Sequence, residues 1–126
     1  MVNIMLPFPP SVNGLFAGKK RRYKSDKYKA WLEDAKDDLT YQKYVDGFKW
    51  KNHTGKVKIT LLLKAPDKRI RDLDNLLKAV LDFLVTHQVI VGDDSRYVKE
   101  LCAFWDYKAM EHAGCFVIIE DLPCND

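Results

Sequence analysis

Between Lys56 and Ala65 the chain alternates with a period of two. Val57, Ile59, Leu61 and Leu63 fall on one side, and Lys56, Lys58, Thr60 and Lys64 on the other. This is the pattern of a strand with one buried face, and Pro66 stops it. Residues 2–7 read as a shorter strand, closed by Pro7-Phe8-Pro9-Pro10. Between these two runs the period changes to that of a helix. Tyr28, Trp31, Leu32, Ala35 and Leu39 form an apolar stripe behind a candidate N-cap, Ser25, so a helix is predicted to about Val45, with Gly47 where a C-terminal stop belongs. A second helix is predicted from about Asp72 to His87. At 100° per residue its Leu73, Leu76, Leu77, Val80, Phe83 and Leu84 gather on one side, and Asp74, Asn75, Lys78 and Asp82 gather opposite. Two last strands, near Val98–Tyr107 and Cys115–Glu120, are separated by a loop containing Gly114 and read as a hairpin. Ser11–Lys24, with Asn13-Gly14 and Gly18, reads as a mobile loop. The order is strand, helix, strand, helix, strand, strand. It predicts one α+β domain over residues 1–126, a mixed sheet of about four strands with both helices packed on one face.

Composition narrows the class without naming a function. A chain of 126 residues can bury a real core as a single domain. It shows no repeat, linker or low-complexity segment. No apolar run approaches the roughly 20 residues of a membrane span, and the N-terminus lacks the charged and apolar regions of a secretion signal. The expectation is a cytoplasmic protein with no membrane partner. Cys102, Cys115 and Cys124 are odd in number and scattered, as are His53, His87 and His112, which argues against a zinc site or a disulfide framework. Cys102 and Cys115 sit in apolar runs and read as buried thiols.

The net charge of +3 says little, but its distribution says more. Lys19, Lys20, Arg21, Arg22 and Lys24 form a dense basic run, with Lys68, Arg69 and Arg71 as a second group and Lys49-Trp50-Lys51 as a third. Glu33, Asp34, Asp37 and Asp38 oppose them. Such segregation suits a face that binds phosphates, and it also suits ordinary solvated surface.

The second helix carries the candidate chemistry. Asp74 in its first turn and Lys78 one turn later share its polar side, Asp72 at the entrance can aim its carboxylate beside that of Asp74, and Asp93-Asp94 follow after Val89-Ile90-Val91-Gly92. Ile90 and Val91 read as a short apolar return to the core that brings the acidic pair back toward the helix start. Each residue has an ordinary use. Asp72 can cap the helix, worth about 1 kcal/mol, and Asp74 can complement the helix dipole. Asp74 and Lys78 can form an i,i+4 ion pair worth about 0.3–0.5 kcal/mol, and Asp93-Asp94 can make a turn. Together they also suit metal-assisted phosphodiester cleavage. Clustered carboxylates provide the oxygen ligands that Mg²⁺ prefers, and the cation neutralises the phosphate and activates water. A nearby lysine stabilises the charge that builds on the phosphate. The flanking Lys68, Arg69 and Arg71 would hold a DNA backbone.

The run Arg71-Asp72-Leu73-Asp74-Asn75-Leu76, with Lys78-Ala79, Asp82 and then Gly92-Asp93-Asp94, resembles the active-site signature of the RusA-type Holliday junction resolvases. Leu6–Asn13 is similar to that family's opening segment, and the resemblance spans about residues 3–120. It implies a homodimeric, Mg²⁺-dependent endonuclease that resolves four-way DNA junctions by paired nicks, leaving 5′-phosphate and 3′-hydroxyl ends, in DNA recombination and repair. It assigns catalysis to Asp72, Asp74, Lys78 and Asp94, and one or two Mg²⁺ to Asp72, Asp74 and Asp94, with Asp93 as a weaker neighbour. With the charge distribution, the expected DNA-binding set is Lys19, Lys20, Arg21, Arg22, Lys24, Lys68, Arg69, Arg71 and Asn75. Asp46–Gly55 is longer than the family pattern leads one to expect. Two other readings stay open, a nuclease using these carboxylates on another nucleic-acid structure and a module that binds branched DNA without cutting it. Among the aromatics, Trp31 and Trp105 read as core, Trp50 as a candidate for base stacking, and Phe8 and Phe16 as candidate wedges for an opened junction. His87 reads as a dipole-complementing residue at a helix end.

Overall fold

The computed structural model describes residues 1–47, 51–106 and 111–123. Its elements are β1 (Val2–Leu6), two short strands β2 (Phe16–Ala17) and β3 (Tyr23–Lys24), α1 (Asp26–Val45), β4 (Val57–Lys64), α2 (Leu77–Thr86), β5 (Val98–Trp105) and β6 (Gly114–Asp121). The main sheet has four strands in the order β1-β6-β4-β5. β6 is antiparallel to both β1 and β4, whereas β5 runs parallel to β4. The fold is α+β with a mixed four-stranded sheet, as the sequence pattern predicts.

The period-two reading of residues 56–65 matches the burial. Val57, Ile59, Leu61 and Leu63 are all fully buried. Through the register they line up with Ile119, Val117 and Cys115 of β6, and with Ile4 and Leu6 of β1, to make one continuous apolar face. Both helices cover it. α1 buries Tyr28, Trp31, Ala35 and Leu39, and α2 buries Ala79, Val80, Phe83 and Leu84. The helices meet where the rings of Trp31 and Phe83 pack edge to face, with centroids 5.7 Å apart. Ser25 caps α1 as expected, its hydroxyl oxygen accepting from the Tyr28 amide at 3.1 Å. The Trp31 indole donates to the Pro7 carbonyl at 3.0 Å. The Gln42 side chain both donates to and accepts from the Met5 backbone, at 2.7 and 2.6 Å, which occupies the outer edge of β1.

Four expectations are corrected. The last two strands do not form a hairpin: β6 inserts between β1 and β4, and β5 lies at the edge beside β4. Their compositions explain this. Cys115–Ile119 is apolar on both faces, as a central strand requires, whereas Lys99 and Glu100 suit an edge. The second helix does not begin as an α-helix at Asp72 but as a 3₁₀ turn over Leu73–Leu76 that becomes α-helical at Leu77. The apolar return after α2 is made by Val89 and Ile90, both buried, while Val91 is 46 % exposed; Gln88 adopts a left-handed φ of 60° to turn the chain there. Ser11–Lys24 is not shapeless. It holds a 3₁₀ turn at Val12–Gly14 and then an antiparallel arm, β2 paired with β3. The Lys49-Trp50 part of the long segment after α1, and Cys124, lie outside the described residues.

Candidate active site

The crossover from β4 to β5 carries the four candidate aspartates and Lys78. β4 ends at Lys64, and an irregular stretch of chain leads into the 3₁₀ turn that carries Asp72 and Asp74. Because β5 is parallel to β4, α2 must carry the chain back along the sheet before β5 begins. The Asp93-Asp94 segment therefore falls just before Val98, where the Val57 amide donates to the Tyr97 carbonyl at 2.7 Å.

Asp72 occupies the N-cap position of the 3₁₀ turn, yet its side chain makes no capping hydrogen bond. The carboxylates of Asp72, Asp74 and Asp93 are exposed, and none has a hydrogen-bond or ion-pair partner among the described residues. The capping role the sequence allows for Asp72 is thus unused. The i,i+4 pair allowed for Asp74 and Lys78 is replaced by one turned the other way. Lys78 Nζ donates to Asp82 Oδ1 at 3.1 Å. That bond, then the charge of Asp82 and more weakly that of Asp93, raise the Lys78 pKa and keep it cationic. Buried Tyr28 of α1 stands beside this pair; burial and the Asp82 charge push its hydroxyl up, against the opposing effect of Lys78. Asp82 is visible in the sequence as the i+4 partner of Lys78 on the same helix face.

Asp94 is engaged. Its two carboxylate oxygens accept from Arg96 Nε at 3.0 Å and from the terminal guanidinium nitrogen at 2.9 Å, and Oδ1 also accepts from the Arg96 amide at 2.9 Å. The guanidinium holds the carboxyl down to about 2. Sequence reasoning does not single out Arg96, although its place two residues after Asp94 is the spacing of a local side-chain turn. Gly92 allows the loop to close: a Cβ there would stand 3.1 Å from the Tyr97 ring and 3.4 Å from Asp94 Oδ2.

The four aspartates do not form one assembled cage. Among the described residues no group of three or more His, Cys, Asp or Glu side chains stands close enough to hold a metal ion. Asp72 and Asp74 share one turn, Asp93 acts on Lys78 through its charge, and Asp94 is tied to Arg96. The donor chemistry still fits a hard divalent cation, since Asp72, Asp74 and Asp93 offer exposed carboxylate oxygens with no competing partner among the described residues.

The basic residues divide into two sets. Lys19, Lys20, Arg21 and Arg22 are exposed around the turn of the β2–β3 arm, with Lys24 on β3. Gly18 makes that turn possible, because at its φ of 96° a Cβ would lie 2.2 Å from the Arg21 carbonyl oxygen. Arg69 and Arg71, in contrast, both bind Asp67, and Asn75 is half-buried at the helix entrance. Lys68 is exposed.

Comparison with known proteins agrees with the signature at the helix entrance. The family model described as endodeoxyribonuclease RusA matches residues 7–120. The chain belongs to the RusA family of endodeoxyribonucleases. A relative described as crossover junction endodeoxyribonuclease rusA, from Enterobacteria phage HK97, is 33 % identical over 94 residues, covering 74 % of this chain and 73 % of its own length. The RusA match includes the N-terminal Pro-rich segment, the 3₁₀ turn with Asp72 and Asp74, Lys78 and the Asp93-Asp94 loop.

The remaining expectations resolve in the packing. Trp31 is core, and Trp105 packs against the core while stacking on Phe8 with centroids 6.4 Å apart. Phe8 is thereby packed in place, with the Arg71 guanidinium 5.3 Å from its ring centroid. Phe16 lies edge-on to Tyr28 with Arg22 over its ring. Burial, then the positive charges of Lys36 and Lys43, push the His87 ring below its ordinary value. Both effects disfavour a cationic ring at the helix end, and the ring packs on Phe83, 4.4 Å away. Cys115 is buried, and burial pushes its thiol up to about 12. Among the described residues no helix is long and apolar enough to cross a membrane.

Proposed function

We propose that this chain is a metal-dependent endodeoxyribonuclease that resolves four-way DNA junctions by symmetric paired nicks, acting as a homodimer in the cytoplasm during recombination and repair. The observation that carries the reading is the pair of carboxylates, Asp72 and Asp74, without a partner among the described residues, in the turn that opens α2 and close in sequence to a lysine kept cationic. They stand in a chain of the RusA family.

Asp72 and Asp74 would be the first ligands, and Asp94 with its neighbour Asp93 would complete the set for one or two Mg²⁺. When bound, the cation supplies charge neutralisation at the phosphate and a water acidic enough to attack phosphorus at neutral pH. Lys78 directs its ammonium at the phosphate oxygens, where the negative charge concentrates as the bond to the 3′ oxygen breaks. The products are a 3′-hydroxyl and a 5′-phosphate. Asp82 fixes the direction of the Lys78 side chain through their hydrogen bond. Arg96 must release Asp94 before that carboxylate can serve as a ligand. The pair is solvent-exposed, where water screens its attraction, so the release is not a large obstacle. The basic arm and Lys68 hold the phosphates of the duplex arms without reading sequence.

The test is a panel of four-way, forked and linear DNA incubated with Mg²⁺ and with a chelator. Cleavage confined to the four-way substrate and abolished by chelation supports the proposal. Equal cutting of forks or linear duplex assigns the carboxylates to a different nuclease, and tight junction binding with no cutting in any cation assigns the chain to a binding module.

A further inference from the structure

Ile70 is an apolar side chain 99 % exposed to solvent, two residues before Asp72. A singly exposed apolar residue needs no special account, but this one stands between two arginines, beside a candidate active site and at the meeting of two clefts. Two clefts open on either side of the Arg69-Ile70-Arg71 segment, and both have that segment as a wall. One, of about 420 Å³, continues to Leu63 and Trp105 at the end of the sheet. The other, of about 460 Å³, continues to Pro10, Asn13, Lys27 and Asn75, and includes Asp72. Ile70 therefore stands on a ridge that divides two grooves.

The ridge is braced from below. Asp67 accepts from the Arg69 amide at 2.9 Å and from Arg69 Nε at 3.2 Å. Its two oxygens also take both terminal nitrogens of Arg71, at 2.9 and 3.1 Å. Arg71 lies over the Phe8 ring, which stacks on Trp105. A segment without regular secondary structure is thus tied to the sheet, and Ile70 projects from it into solvent.

We propose that Ile70 is the wedge that enters the branch point of the bound junction, parting the strands so that one runs in each groove, with the strand in the Asp72 cleft presented for cutting. This deepens the proposed function and rests on it. Apolar side chains inserted between base steps unstack them and are themselves removed from water. Ile70 has the freedom to do this that Phe8, locked in its stack, lacks. The two grooves give the separated strands places to lie, and Lys27 and Arg69 place positive charge along the cleft that contains Asp72.

The experiment uses the Asp74→Asn protein, which should bind without cutting, and a four-way junction with 2-aminopurine at the branch point. Binding should raise the fluorescence severalfold as the probe unstacks. Adding Ile70→Ala should remove most of that rise while junction affinity changes by less than about threefold, because affinity comes mainly from the phosphates. Ile70→Leu should retain the rise. In the cleavage-competent protein, Ile70→Ala should slow cutting of an intact junction by about tenfold and leave unchanged the cutting of a junction already mismatched at the branch point. An undiminished fluorescence rise with Ile70→Ala, or equal slowing on both junctions, overturns the wedge and leaves the proposed nuclease standing. Failure of the Asp74→Asn protein to bind any branched DNA overturns both.

Discussion

Asp72 and Lys78 show how the ordinary uses of a charged residue can be separated from a chemical one. Asp72 stands where a capping side chain belongs and leaves the cap unmade; Lys78 finds an ion pair, but with Asp82 instead of Asp74. That arrangement leaves Asp74 free for a ligand and holds the ammonium in one direction. Lys78→Ala should accordingly lower the turnover rate by about 10²–10³-fold, the scale of removing one electrostatic stabiliser from a reacting centre. Junction affinity should barely change, since one phosphate interaction among many matters little to binding. Single-turnover rates and binding isotherms on the same junction separate the two. A fall in affinity parallel to the fall in rate would make Lys78 a docking residue. His87 makes a prediction of a different kind. Its folded pKa lies below its ordinary value, so the unfolded chain binds more protons as the pH falls below about 6.5. The stability this ring contributes is present above that pH and is lost as pH falls through the depressed folded value. Melting temperatures measured from pH 7 to pH 5 should drop more steeply for the parent protein than for His87→Phe. Parallel curves would show that the ring does not carry the dependence.

At the scale of elements, the β2–β3 arm gives the basic run a defined shape instead of a loose loop, with Gly18 at its turn. Neutralising Lys20, Arg21 and Arg22 together should weaken junction binding and flatten its salt dependence. The log–log slope should fall by about 0.9 for each phosphate that is no longer neutralised. An unchanged slope would make the run ordinary surface. Much of the element order is readable from the sequence because local chemistry decides it. Alternation makes β4 legible, Ser25 and the stripe through Leu39 make α1 legible, and the proline run closes β1. What stays hidden depends on long-range pairing. Nothing local to residues 98–121 says that β6 lies between β1 and β4; the clue is indirect, the apolar character of both faces of Cys115–Ile119 against the charges of β5. The arm escapes notice because two-residue strands carry no periodicity. The site divides in the same way. Asp74 and Lys78 are visible from their i,i+4 spacing, Asp72 from its place at the helix entrance and Asp93-Asp94 from the turn after Gly92, while the roles given to them rest on the family resemblance. The path of the chain after α2 follows from the parallel crossover, which spacing does not reveal. Hence Arg96 on Asp94, and Ile70 on its ridge, become visible only in three dimensions.

At the scale of the whole molecule, the described residues of one chain carry one candidate carboxylate set, and resolving a four-way junction requires two nicks in strands of like polarity. Two copies about a two-fold axis would present two sites that match the near two-fold symmetry of the substrate. Light scattering should therefore give twice the mass of the 14.7 kDa chain, and a mixed dimer with one Asp74→Asn subunit should nick one strand and leave the junction unresolved. A monomer that makes paired cuts would remove the need for symmetry. The central claim is that the turn opening α2 is the cutting site, and one assay bears on it directly: mapped cleavage of a four-way junction in Mg²⁺ by the parent protein and by Asp74→Asn, with binding measured in parallel. The parent should make symmetric cuts carrying 5′-phosphates, and Asp74→Asn should bind the junction as well or more tightly without cutting it. Substantial cutting by Asp74→Asn, at the same positions, would contradict it.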